Sequence, residues 1–420
     1  MPSFPEGGSL RRARPLLLSN TLDAGSRQAA DLGTDIIAVT VLGASATQMG
    51  LLNALGTVAF LVLGIPVGVL VDRSPTVRTL LAAGLTRAGL LSTVVLAWWV
   101  GGLTLLHLYA VALLAGVCSV VTETTQTALA PRLVGPERVG PLVARMQSAE
   151  TVVGLVAPAA AGALAAAAGA GPLLGVAVAV TVCSVVVLGM SRRPRPGGAD
   201  TGDDGATPAG ALRRLFSEAG EGWRALVRDA VLLRLTLAAM LVNLGLAIWS
   251  AVEVLVVLRT LGLGAEVLGL IVSAGALGGL LGSLVAVPLG ARLGAGPLMR
   301  CSLALLAPTA ALVLVALAAP GHATPLLLTH AFLWGVLMVT YNVHLAGLVA
   351  AQTPASLLGR VSATRRTLTM GIVPAGGLLG GVLADAAGDQ ATVLAWCLLN
   401  AAGAGLAFSR QGGVSRAARR

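Results

Sequence analysis

Residues 49–71 read MGLLNALGTVAFLVLGIPVGVLV and are followed at 72–78 by DRSPTVR. The first stretch holds no charged residue, and the second opens on Asp72-Arg73 and closes on Arg78. A helix rises about 1.5 Å per residue and a bilayer's hydrocarbon core is about 30 Å thick, so about 20 apolar residues cross it once. The stretch is therefore read as a membrane span, and the arginines after it as a junction. Working outward, eleven further stretches of this kind lie near 16–42, 79–100, 105–130, 145–168, 172–190, 232–258, 266–290, 299–319, 325–349, 361–384 and 391–409. The expectation is an all-α membrane protein with twelve transmembrane helices.

All 28 basic residues are arginine, and nearly all of them sort by junction. Arg11, Arg12 and Arg14 precede the first span. Arg73 and Arg78 follow the second, and Arg132, Arg138 and Arg145 the fourth. A group from Arg192 to Arg234 follows the sixth, Arg292 and Arg300 the eighth, Arg360, Arg365 and Arg366 the tenth, and Arg410 to Arg420 the last. Odd junctions carry only Arg259. Positive residues stay on the cytoplasmic side during insertion, so both termini are expected in the cytoplasm. The net charge of +10 is thus a topological signal. Arginines dispersed over many loops, without aromatic neighbours, exclude nucleic acid as a partner.

With 56% hydrophobic and 11% charged residues and a mean hydropathy of +0.88, the chain is too apolar for a soluble domain. The lack of lysine beside abundant alanine and glycine indicates a GC-rich bacterial genome, hence a bacterial plasma membrane. The first fourteen residues are polar and run straight into a span, so no cleavable leader is expected. Cys118, Cys183, Cys301 and Cys397 are far apart within or beside spans and read as packing residues. No metal and no cofactor are expected, and the chain is read as a monomer.

One long polar interruption divides the spans six and six, giving an N-terminal half at 1–190, a linker at 191–230 and a C-terminal half at 231–420. Within the linker, Leu212, Leu215, Phe216, Trp223, Leu226 and Val227 recur at near-helical spacing, as in an interfacial helix. Gly220 and Gly222 count against it. Arg145 to Pro158 (RMQSAETVVGLVAP) resembles Arg360 to Pro374 (RVSATRRTLTMGIVP), six spans later, which implies a duplicated parallel repeat. Small residues at Gly275, Gly278, Gly279 and Gly282, and at Gly376, Gly377, Gly380 and Gly381, suit close helix packing.

Gly68, Asp72, Arg73 and Arg78 carry a resemblance. Their loop resembles the Gly-x-x-x-Asp-Arg signature of the major facilitator superfamily, with Pro75, Thr76 and Val77 where the usual Gly-Arg-Arg tail stands. The second-half copy keeps Arg292 and Gly294 but has Ala291 in place of the acid. The resemblance implies two pseudo-symmetric six-helix halves, a small-molecule substrate, and a conformational latch built on Asp72. Gln126 to Arg138 and Leu358 to Val361 resemble the bacterial drug-efflux branch. Ala157-Pro158 through Gly162 is similar to an antiporter motif, with alanine at two glycine positions.

The charges inside the spans define a candidate site. At about 100° per residue, Asp23, Arg27, Asp31 and Asp35 share an arc of about 120°, with Asn20 and Thr34 inside it. A charge near the bilayer centre costs roughly 2.5–3.5 kcal/mol even on the lenient insertion scale, so this face must line water or pair internally. Spacings permit a ladder from Asp23 through Arg27 to Asp31. Polar residues recur three spans apart: Glu123 and Gln126 in the fourth, Asn243 and Glu253 in the seventh, Tyr341, Asn342 and His344 in the tenth. Arg87 and Glu123, at similar depth, read as ion-pair partners. The functional expectation is proton-coupled efflux of small amphipathic neutral or cationic compounds, with Asp31 carrying the proton. The alternatives are an importer or facilitator of a polar metabolite without proton coupling, and a membrane scaffold or sensor. No spacing of nucleophile, base or metal ligands points to an enzyme.

Overall fold

A computed structural model describes residues 8–73, 77–134, 139–190 and 220–408. The apolar stretches are helices because a hydrocarbon core offers no partner for a free backbone N–H or C=O. In chain order they are α1 (Gly8–Thr40), α2 (Ala46–Arg73), α3 (Val77–Val100), α4 (Leu105–Val134), α5 (Val139–Ala168) and α6 (Ala170–Gly189). Next come α7 (220–228), α8 (Ala230–Ser250) and the short α9 (Glu253–Leu255), which runs into a π-helical turn at Val256–Thr260. The series closes with α10 (Ala265–Leu293), α11 (Ala295–Ala318), α12 (Ala323–Gln352), α13 (Ala355–Gly371) and α14 (Val373–Phe408). Among the described residues nine stretches are long and apolar enough to cross a membrane, and the last, Leu357–Phe408, holds two spans. With α1 and α2 these make the twelve helices of an all-α membrane protein. The reversal inside α14 falls at Gly388, whose φ of 85° suits a residue without Cβ.

The chain forms two units. The first comprises Met1–Ser45, Leu51–Leu212 and Val257–Ser273. In it α1 packs on α4, α5 and α6, and α3 on α4 and α6. Buried hydroxyls join α1 to α6: Ser26 Oγ donates to Ala177 O at 2.8 Å, and Ser19 Oγ lies 2.9 Å from Ser184 Oγ. The fifth-span motif is a close helix contact. A Cβ on Gly162 would stand 2.5 Å from Ala265 O and 2.9 Å from Gly269 Cα, so the small residue is required by packing. Arg259, the odd-junction arginine, donates to Val39 O at 3.0 Å and Ala44 O at 3.1 Å, and so satisfies carbonyls at the end of α1.

The second unit comprises Ala46–Gly50, Arg213–Val256 and Ala274–Arg420. Here α14 packs on α8 and α11, α11 on α12, and α13 on α8. Its core is aromatic: Trp396 is fully buried, stacked on Trp249 with centroids 5.1 Å apart and edge-on to His330 at 5.2 Å. The two glycine clusters let backbones touch. A Cβ on Gly380 would sit 2.5 Å from Ile248 O, and one on Gly282 would sit 2.7 Å from Val336 O. Asp385 accepts from Ala46 N at 3.0 Å and Thr47 N at 2.9 Å, capping the first turn of α2.

Two expectations change. The linker helix is present over 220–228, whereas 212–219 lies outside the described residues. Gly222, weighed as a helix breaker, is buried with its Cα against Arg360 O, where any Cβ would clash, and Arg360 pairs with Glu221. The repeated stretch also behaves differently in its two copies. Pro158 lies inside the continuous α5, whereas Pro374 stands in the first turn of α14, just after the break at Ile372. A proline in a first turn forfeits no helical hydrogen bond.

Candidate functional site

In the first unit, α1 brings its charged arc against α3 and α4. Arg87, on α3 and only 5% exposed, pairs with Asp23 at 3.0 Å. Arg27 bridges, at 3.4 Å to Glu123 on α4 and 3.7 Å to Asp23 one turn away. Two expected pairings are thereby replaced. Arg87 reaches Asp23 instead of Glu123, and Arg27 turns toward Glu123 instead of Asp31, because α4 supplies a carboxylate on that side. Asp31 makes no hydrogen bond or ion pair among the described residues. It is exposed near the middle of its span and lies in the electrostatic field of Arg87, Arg27 and Asp23. Asp35 is half-buried and has a partner. Gln126 is buried beside Asp23, Ser19 and Thr122 around a cavity of about 20 Å³.

The second unit holds a larger cavity, about 540 Å³, into which Asn243, Tyr341 and Asn342 face. Asn243 Nδ2 donates to Thr369 O at 3.1 Å. The Tyr341 hydroxyl is buried without a partner. His344, expected beside these residues, does not line the cavity. Its ring packs against Gly290, where a Cβ would collide with Nε2. On the helix His344 falls about 60° from Tyr341 on the side opposite Asn342, outside the arc that Tyr341, Asn342 and Leu345 turn to the cavity, and so faces α10. Glu253 lies apart from the cavity as well, half-buried at the start of α9, with no hydrogen bond or ion pair among the described residues.

Two residues of this site escaped the sequence reading. Arg365 and Arg366, counted there as junction charges, stand inside α13 and line the cavity. Arg365 Nε donates to Thr236 Oγ1 at 2.9 Å. The signal for them was in the sequence: 355–371 contains two adjacent arginines and no acid at all, so neither can be neutralised along its own helix. Of the latch, Arg78 is exposed in the first turn of α3. Gly68 stands within α2, and the side chains of Asp72 and Arg73 lie outside the described residues.

Twelve membrane-crossing helices that carry charged and hydrogen-bonding side chains within their spans define a multi-pass carrier of small molecules. Residues 16–258 match the Major Facilitator Superfamily, more than half of the sequence, and the chain belongs to that superfamily. It is a secondary transporter and not an enzyme. Among solved structures it is similar to the D323A mutant of the nucleoside transporter NupG, with TM-score 0.74, 14% identity, and 96% and 98% of the two chains covered. A bacterial homologue of the iron transporter ferroportin gives TM-score 0.70 and 19% identity over 96% and 99%. A bacterial homologue of the human lysosomal transporter Spinster gives 0.68 and 16% over 96% and 94%. At such identities the likeness concerns the fold alone. Among curated proteins no sequence matches the chain.

Proposed function

We propose that this transporter couples cargo to protons and exports small amphipathic compounds across a bacterial plasma membrane, with both termini in the cytoplasm. The observation that carries the proposal is Asp31. Around it the charges of the first unit are paired, Asp23 with Arg87 and Arg27 with Glu123, whereas Asp31 is exposed and holds no partner among the described residues. An unpaired, accessible carboxylate in mid-span can take and release a proton without breaking an existing bond. Its protonation removes a negative charge from the field of Arg27 and Arg87, which changes the relative stability of two conformations and so links proton to cargo. Glu253 is the second candidate for the proton, and Asp72 retains the latch role that the resemblance gives it.

Neutral or cationic cargo was expected from the sequence, and the pairing of Arg87 with Asp23 neutralises one acid of the α1 face. A second reading, an importer of a polar metabolite, is supported by the hydrogen-bonding groups of Asn243, Tyr341 and Asn342 around one cavity. Inverted membrane vesicles, acidified inside, test the coupling. Addition of a transported compound from a panel of organic ions should dissipate the pH gradient in wild type and leave it intact in Asp31→Asn. A compound accumulated equally by both proteins would remove Asp31 from the mechanism.

A further inference from the structure

We infer that the cavity of the second unit binds the oxyanion of an amphipathic organic anion, a carboxylate, phosphate or sulfonate group, between Arg365, Arg366 and the hydroxyl of Tyr341. The inference rests on the transporter reading above but on neither its direction nor its coupling. Three observations carry it.

The cavity, about 540 Å³, takes two arginines and no acidic residue into its lining. An arginine is charged at every accessible pH, and a charge within a span is costly until something pairs with it. Arg366 has no ion pair among the described residues. Arg365 spends only Nε, on the Thr236 hydroxyl, and that bond fixes the guanidinium plane while its two Nη groups keep their donors. Such a fork matches the paired oxygens of a carboxylate or phosphate.

Tyr341 is the independent observation. It is 1% exposed, lines the same cavity, and its hydroxyl has no hydrogen-bond partner among the described residues. A buried hydroxyl left unsatisfied costs about 1–3 kcal/mol, so a ligand oxygen that accepts from it recovers that cost. The remaining walls, among them Met338, Leu345 and Met370, are apolar and adaptable, and suit an aliphatic or aromatic body behind the charged head.

The test uses the full chain in detergent, with phenyl phosphate, benzenesulfonate and benzyltrimethylammonium as probes of one ring and two charges, read by thermal unfolding and intrinsic fluorescence. Both anions should raise the unfolding temperature saturably, and the cation should not. Arg365→Gln and Arg366→Gln should each weaken phenyl phosphate by about tenfold or more, and Tyr341→Phe by about threefold to tenfold. Arg366 is exposed, so its variant remains a fair test should Arg365→Gln fail to fold. Stabilisation by the cation as strongly as by the anions, by none of the probes at 10 mM, by added phosphatidylglycerol only, or equally in wild type and Arg366→Gln would each overturn the inference. Binding needs no gradient, so a failure here beside intact coupling through Asp31 would remove the anion alone. Loss of coupling beside intact binding would remove the proton alone.

Discussion

The polar faces of the two units use charge in opposite ways. In the first, acid and base come from neighbouring helices and neutralise each other, so that Arg87 is fully enclosed with Asp23 as its counter-ion. In the second, Arg365 and Arg366 line a cavity with no acid among its described lining residues, and Arg365 donates to a threonine hydroxyl. A buried pair is a fixed part of the fold, since removal of either member strands the other. An unpaired cation beside a cavity is instead a demand for something from outside. Most of the charge around Asp31 in the first unit is paired, whereas the arginines lining the second unit's cavity have no carboxylate beside them there.

The largest effect should come from breaking the first unit's pair. Asp23→Asn leaves Arg87 buried without a counter-ion, a loss of roughly 3–5 kcal/mol, visible as a large fall in unfolding temperature in detergent. Asp23→Asn combined with Arg87→Met should recover most of it, because no buried charge then remains. In contrast Arg365→Gln should leave stability unchanged or raise it. An equal fall in the two units would erase the comparison.

A smaller loss is expected at Arg27. The α1 ladder alone would make Arg27 the residue on which folding depends, but its side chain is 22% exposed and its partner Glu123 46% exposed, so screening by water limits Arg27→Gln to roughly 1 kcal/mol. Unfolding of Arg27→Gln beside Asp23→Asn ranks the two. Smallest is Arg259→Gln, which gives up two hydrogen bonds to carbonyls that water can partly replace. The expected change is about 0.5–1 kcal/mol, and hydrogen exchange at residues 39–44 should report it before global unfolding does.

The spans were legible because crossing a bilayer needs length and apolarity and little else, and each stretch read from the sequence falls largely on described helix. Their ends were less so. The eleventh span was expected from residue 361, but α13 begins at Ala355, since nothing more than Thr353 and Pro354 separates it from α12. Arg365 and Arg366 lay already within that expected span but were grouped with its junction, and the structure places them on a cavity wall. The rule that assigns arginines to junctions reads position along the chain and not the face of a helix. Pairing was beyond the sequence for a related reason. Helical spacing gives Asp23 and Arg27 a common face, but whether Arg27 turns to Asp31 or to Glu123 depends on which neighbour packs there. Tyr341 and Asn342 were found by their polarity, and His344, two residues further on, was placed with them because polarity alone does not tell which arc of the helix faces the cavity.

The division of labour between the units is tested most directly by proton flux and phenyl phosphate flux measured in the same proteoliposomes for wild type, Asp31→Asn and Arg366→Gln. The account predicts that Asp31→Asn keeps exchange of phenyl phosphate down its own gradient but loses accumulation driven by a pH gradient. Arg366→Gln should weaken both together through a raised KM. Accumulation by Asp31→Asn at the wild-type rate, or an Arg366→Gln protein that loses coupling while its exchange is untouched, would contradict it.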